Sequence, residues 1–282
     1  MANDPFLQAY DAVLAQWPED TAPTTVPTPY GATRVNSCGP RDAPPLLLLP
    51  GGGGATSTAW FATAAALGRT HRVHAADLVG EPGRTVPGAT PLKTPADLMA
   101  WLDALLDGLG LDSVSLCGHS YGGWIALRYA LHAPARTDRL VLLDPTQCFT
   151  GFRPGYLLRA LPMLLRPTSG NTRAFLTWET AGAGLDPAWL RLQALAPDFP
   201  SARPVTGPRP TPAELRTLKA PTLLLLAGRS RAHDIRKAEA AAKSLLPHVE
   251  TAVLADASHH SLPHSAPREL GVRMREFLLA GS

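Results

Sequence analysis

The chain has 282 residues, enough for one α/β domain with a sizeable core and an insertion. Charged residues are 17% and hydrophobic ones 45%, too apolar for a disordered chain and too interrupted for a membrane protein, so a soluble globule is expected. The net charge of +3 is spread out, and no basic run with interleaved aromatics argues for a nucleic-acid partner.

Met1 to Tyr10 has neither a basic start nor a long apolar run, and the four leucines at 46–49 are too few to span a bilayer, which predicts a cytoplasmic protein with no membrane partner. Phe6, Leu7, Tyr10, Val13, Leu14 and Trp17 recur at helical spacing and predict an amphipathic surface helix that Pro18 ends. From Thr24 to Asn36 a β-branched stretch turning at Tyr30-Gly31 predicts a hairpin at a sheet edge, with the buried strands starting later. Short apolar runs follow at 46–49, 72–74, 114–117, 140–143, 223–227 and 251–254. Helix-period segments at 57–67, 95–109, 121–132, 236–246 and 267–279 alternate with them, the pattern of a mostly parallel sheet with helices on both faces. The alternation breaks between about 146 and 217, where prolines punctuate apolar and aromatic pieces. This predicts a cap at 146–217 inserted into a core formed by 1–145 and 218–282, over the carboxyl ends of the strands. Cys38, Cys117 and Cys148 are odd in number and widely spaced, which favours free thiols in a reducing compartment.

The strand at 114–117 runs into Gly118-His119-Ser120-Tyr121-Gly122-Gly123 and then into a helical stretch, so Gly-x-Ser-x-Gly stands in the strand-to-helix context that a nucleophile elbow requires. A sharp turn there forces backbone and side chains together, and residues without a Cβ avoid the clash. Ser120 is the candidate nucleophile. Upstream, the strand at 46–49 enters Pro50-Gly51-Gly52-Gly53-Gly54, a loop able to aim a backbone N–H at a substrate oxygen. The candidate oxyanion donors are the N–H groups of Gly52 and of Tyr121. A phosphate loop would need a lysine and hydroxyl after the glycines, and Ala55-Thr56-Ser57 supplies no lysine.

After the last strand comes Asp256-Ala257-Ser258-His259-His260-Ser261. Imidazole titrates near neutrality and can take a serine proton, so the base lies here. Two adjacent histidines leave the choice open, with His264 a weaker third candidate.

Taken together, the glycine loop with Trp60 beyond it, the 118–122 elbow and the terminal histidine with Pro267 behind it resemble the α/β-hydrolase superfamily, and within it the bacterial carboxylesterase-like members, from about residue 24 to 279. The resemblance implies an α/β-hydrolase fold, and its proline register, seven residues from His260 to Pro267, favours His260 as base. It also implies a structural role for Asp77. One departure is pronounced: the family's acid is usually three residues after the glycine ending the penultimate strand, and from Gly228 that position is Arg231. Arginine cannot orient an imidazole or stabilise its cation. Asp144, at the end of the strand at 140–143, is preferred as the replacement, ahead of Asp234, which could instead cap the next helix, and ahead of no working acid at all.

The expected activity is serine hydrolysis of a carboxylic ester or related acyl bond through Ser120, His260 and Asp144. No cofactor is required, and the cysteine and histidine spacing lacks a zinc pattern. The partner would be a small, apolar acyl substrate, given Phe149, Phe152, Tyr156, Phe175, Trp178 and Trp189 in the insertion. Acyl transfer or lactone formation on the same scaffold, and a silent ligand-binding homologue, are the competing readings.

Overall fold

Leucine-rich runs with no polar alternation need apolar cover on both faces, and one sheet provides the place for all of them. In the computed structural model, which describes residues 4–264 and 267–280, the strands are β1 (Ala22–Thr28), β2 (Gly31–Cys38), β3 (Pro45–Leu49), β4 (Arg72–Ala76), β5 (Val86–Pro87), β6 (Val114–His119), β7 (Thr137–Leu143), β8 (Thr222–Ala227) and β9 (Val249–Leu254). Their spatial order is β1-β2-β4-β3-β6-β7-β8-β9, with the two-residue β5 pairing on β2. The pairs β1–β2 and β2–β4 are antiparallel, and from β4 onward every neighbour is parallel.

Side chains of a strand alternate between faces, so each run feeds two cores. Leu47 and Leu49 pack on the side of α3 (Pro95–Leu109), α4 (Tyr121–His132) and α9 (Ile235–Leu245), with Leu116, Leu142 and Leu224 from the neighbouring strands. Leu46 and Leu48 pack on the opposite side with α2 (Phe61–Leu67) and α10 (Pro267–Leu279). Local chemistry sets helix ends. Thr94 and Asp97 close a reciprocal capping box on α3 with Pro95 at its first turn, and Gly110 ends it in the left-handed region at φ 70°.

The amino-terminal third departs from expectation in two ways. The hairpin sits at the sheet edge as expected, with β1 outermost, but the buried strands do not start later: β2 lies between β1 and β4, and its Val35, Asn36, Ser37 and Cys38 are buried. The helix α1 (Pro5–Leu14) is no plain surface helix either. Its Phe6, Tyr10 and Val13 are buried because the insertion covers the helix, and Trp17 beyond it is buried in the core that holds Leu46 and Leu48.

That insertion joins β7 to β8 and contains α5 (Pro154–Leu165), α6 (Ser169–Glu179), α7 (Pro187–Leu195) and α8 (Pro212–Arg216). Pro154, Pro187 and Pro212 start three of these helices, where the missing N–H costs nothing, so prolines that read as interruptions in sequence are helix starts in space. No helix among the described residues is long and apolar enough to cross a membrane.

Candidate active site

The elbow forms where β6 meets α4. Ser120 takes φ 53°, a strained conformation for a residue with a Cβ, and so leaves the sheet plane. The flanking glycines are required by contact: a Cβ on Gly118 would lie 2.2 Å from the Gly122 carbonyl oxygen, and one on Gly122 would lie 2.2 Å from that of Leu49. Ser120 also stands at the N-cap of α4, which leaves the N–H of Tyr121, the first helical residue, without an intrahelical acceptor, at the helix's positive end.

The hydroxyl of Ser120 lies 2.9 Å from Nε2 of His259, whose Nδ1 lies 2.7 Å from Oδ2 of Asp144. Asp144 follows β7 directly and adopts φ 40°, a second left-handed residue without the glycine licence. Its carboxylate is fully buried and accepts from the Ser230 hydroxyl at 2.7 Å and the Ala227 N–H at 3.2 Å, while Nε2 of His233 stands 3.2 Å away. Burial alone would raise the Asp144 carboxyl. The neighbouring His233 and His259 outweigh it and hold the group well below the ordinary carboxylate range. An ionised carboxylate only accepts, so Nδ1 of His259 carries the ring proton, Nε2 is left to accept, and Ser120 donates.

The sequence preference for His260 is corrected here. His260 turns into the insertion, with Nε2 3.2 Å from the Tyr156 hydroxyl and its ring edge-on to Phe175. Burial, and after it the repulsion between two protonated imidazoles at 259 and 260, keeps it well below the usual imidazole range. The proline register points one residue past the imidazole that meets Ser120, because neighbours in an irregular turn point in different directions. His264 stacks on Phe61 and lies tilted against Trp189, and burial lowers it to about 4. Asp234 is not brought to the imidazole. It caps α9, accepting from Arg236 N and Lys237 N. Arg231 is also turned away: its guanidinium donates to the Trp178 carbonyl at 2.6 Å and lies over the Trp178 ring.

The glycine loop passes beside the elbow, and a Cβ on Gly51 would sit 3.5 Å from that of Ser120. Glu81 holds the loop by accepting from Gly53 N at 3.1 Å and Gly54 N at 3.2 Å, and Gln193 of α7 donates to the Gly54 carbonyl at 2.9 Å. Gly52 borders the Tyr121 ring, so the two candidate donors are neighbours. Asp77 lies at the end of β4 and accepts from Ser57 and Arg84 N, fastening two loops.

Three site residues carry no signal of their own in the sequence. His119, inside the elbow, donates from Nε2 to the His259 carbonyl at 2.8 Å, and burial with the nearby His259 lowers it to about 3. His233 backs Asp144. Glu179, at the end of α6, is buried and accepts from His259 N at 3.0 Å, His260 N at 3.2 Å and the Ser258 hydroxyl at 2.9 Å. It is the single acidic residue between Asp144 and Asp186, a hint that means nothing until the turn it serves is known. Glu179→Ala strands three donors and frees that turn, so steady-state kinetics should show kcat lowered by about 10- to 100-fold and KM changed by less than about threefold. Unchanged kcat would mean that the turn holds itself.

Above Ser120 opens a cavity of about 350 Å³. Leu157, Met163 and Leu164 of α5 and Phe175 and Leu176 of α6 supply its apolar wall, and His259, Gln193 and Glu81 its polar end.

The profile of the Alpha/beta hydrolase family matches residues 46–271. The chain is an alpha/beta hydrolase. Among this hydrolase's relatives, carboxylesterase YbfK of Bacillus subtilis (strain 168) is 29% identical over 98% of this chain and 94% of its own. The uncharacterized carboxylesterase nap of the same strain is 28% identical over 98% and 92%. Crystal structures agree. That of carboxylesterase CesB (YbfK) superposes on the hydrolase with a TM-score of 0.90, 29% identity and 98% coverage of both chains, and that of naproxen esterase (carboxylesterase NP), also from Bacillus subtilis, with 0.89, 27% and 97% of both.

Proposed function

We propose that this hydrolase cleaves a carboxylic ester or closely related acyl bond with Ser120 as nucleophile, His259 as general base and acid, and Asp144 as the carboxylate that orients and charges the imidazole. The observation that carries this reading is the unbroken line from the Ser120 hydroxyl through both nitrogens of His259 to a buried, ionised Asp144, opening on a cavity. Relationship along the whole chain to carboxylesterases supports the ester class.

Ser120 attacks the acyl carbonyl as its proton passes to Nε2 of His259, and Asp144 stabilises the imidazolium. The N–H groups of Gly52 and Tyr121 take the oxyanion. The imidazolium then protonates the leaving alcohol, the acyl group stays on Ser120, and water activated by His259 releases the acid. Residues 146–217 act as a cap on the core of 1–145 and 218–282, and the leucine and phenylalanine wall suits an apolar acyl or aromatic group.

Labelling with a fluorophosphonate and turnover of short p-nitrophenyl esters test the reading together. Modification of Ser120, its loss in Ser120→Ala and measurable turnover are expected. Labelling without turnover would point to acyl transfer, and neither would point to a binding protein.

A further inference from the structure

Among the described residues eight large hydrophobic side chains are well exposed, and five of them lie on one helix: Leu157, Leu158, Leu161, Leu164 and Leu165 of α5. Leu158 and Leu165 are 70% and 76% exposed. At helical spacing these five leucines share an arc of about 120°. One flank of this arc is buried through Tyr156 and Ala160, which pack on the rest of the insertion, while Gly155, Arg159 and Pro162 beyond the other flank are exposed. A folded protein seldom leaves so continuous an apolar stripe uncovered without a use.

The segment that carries the stripe has charge of one sign. From Pro145 to Trp178 the chain contains four arginines, Arg153, Arg159, Arg166 and Arg173, and no lysine, aspartate or glutamate. All four arginines are exposed. A second copy meeting this face about a two-fold axis would set arginines against arginines with no acid in the segment to offset them. An apolar stripe on a helix whose polar side and flanking turns carry only cations is what an anionic bilayer surface recognises: the leucines enter the acyl boundary and the exposed guanidinium groups reach the lipid phosphates.

We propose that α5 seats this hydrolase on an anionic lipid bilayer, with its leucine arc immersed and its arginines on the headgroups. Leu157 and Leu164 also line the cavity above Ser120, so the seated helix places the cavity's apolar wall against the lipid. That consequence for substrate delivery rests on the esterase reading; the docking itself does not.

The test is co-sedimentation of the full chain with vesicles of phosphatidylcholine alone and of phosphatidylcholine with phosphatidylglycerol. Binding is expected only to the anionic vesicles. It should weaken at least about tenfold in Leu158→Glu/Leu165→Glu, in Arg159→Gln/Arg166→Gln, and on raising the ionic strength from about 0.05 to about 0.5 M. Neither pair of positions lines the cavity, so hydrolysis of a short soluble ester should stay within about twofold of the parent, which also shows that the variants fold. Ser120→Ala should bind vesicles as the parent does, which separates docking from catalysis. No binding to anionic vesicles, equal binding by the leucine variant, or self-association that the leucine variant abolishes in the absence of vesicle binding would each overturn the proposal.

Discussion

His259→Ala is expected to lower kcat by about 10⁵- to 10⁶-fold, while His260→Ala, one residue away, should cost less than about tenfold. The first change removes the group that stands 2.9 Å from the Ser120 hydroxyl and with it, in the proposed mechanism, the proton acceptor for attack and the donor for departure. The second removes an imidazole whose ring nitrogen meets Tyr156. Ester hydrolysis under saturating substrate, with folding followed by circular dichroism, checks both. Comparable losses in the two variants would show that the turn moves as a unit and that the assignment of a single base is wrong.

Asp144→Asn is expected to cost about 10⁴-fold in kcat, about 5 kcal/mol of transition-state stabilisation. A carboxamide can turn its NH₂ toward Nδ1 of His259, which moves the ring proton to Nε2 and leaves no lone pair for the serine proton. It also removes the negative charge that favours the imidazolium. Asp234→Asn should stay within about twofold, since asparagine caps a helix as well as aspartate does and the residue serves α9. Full activity in both variants would mean that the imidazole is oriented by something other than a carboxylate.

These two comparisons fall where the sequence was least legible. The elbow could be read at once, because a strand, a helix and two obligatory glycines are local features, and Gly118 and Gly122 are required by contacts within a few residues or with the adjacent strand. The central strands and the helices at 95–109 and 121–132 were equally open to reading, since period and apolar content mark them directly. The hairpin at the amino terminus was visible as a hairpin, but its second strand became an interior strand because β4 pairs on its free side, a long-range event that no local pattern announces. Arg231 at the family's usual acid position looked like a defect. In space it is turned away to the end of α6, while the strand next to β8 supplies the carboxylate.

What the sequence determined by itself was therefore the alternation of strand and helix, the serine on its bend and the glycine loop beside it, because each depends on periodicity or on steric rules acting over a few residues. Which histidine meets that serine, which aspartate meets the histidine, and that Glu179 of the insertion holds the histidine turn, only the tertiary structure decided. Asp144 and His259 are 115 positions apart, and the distance between them is set by strand order and by the path of an irregular turn. A turn without a repeating period gives adjacent side chains unrelated directions, so one residue's difference along the chain becomes the difference between facing Ser120 and facing away.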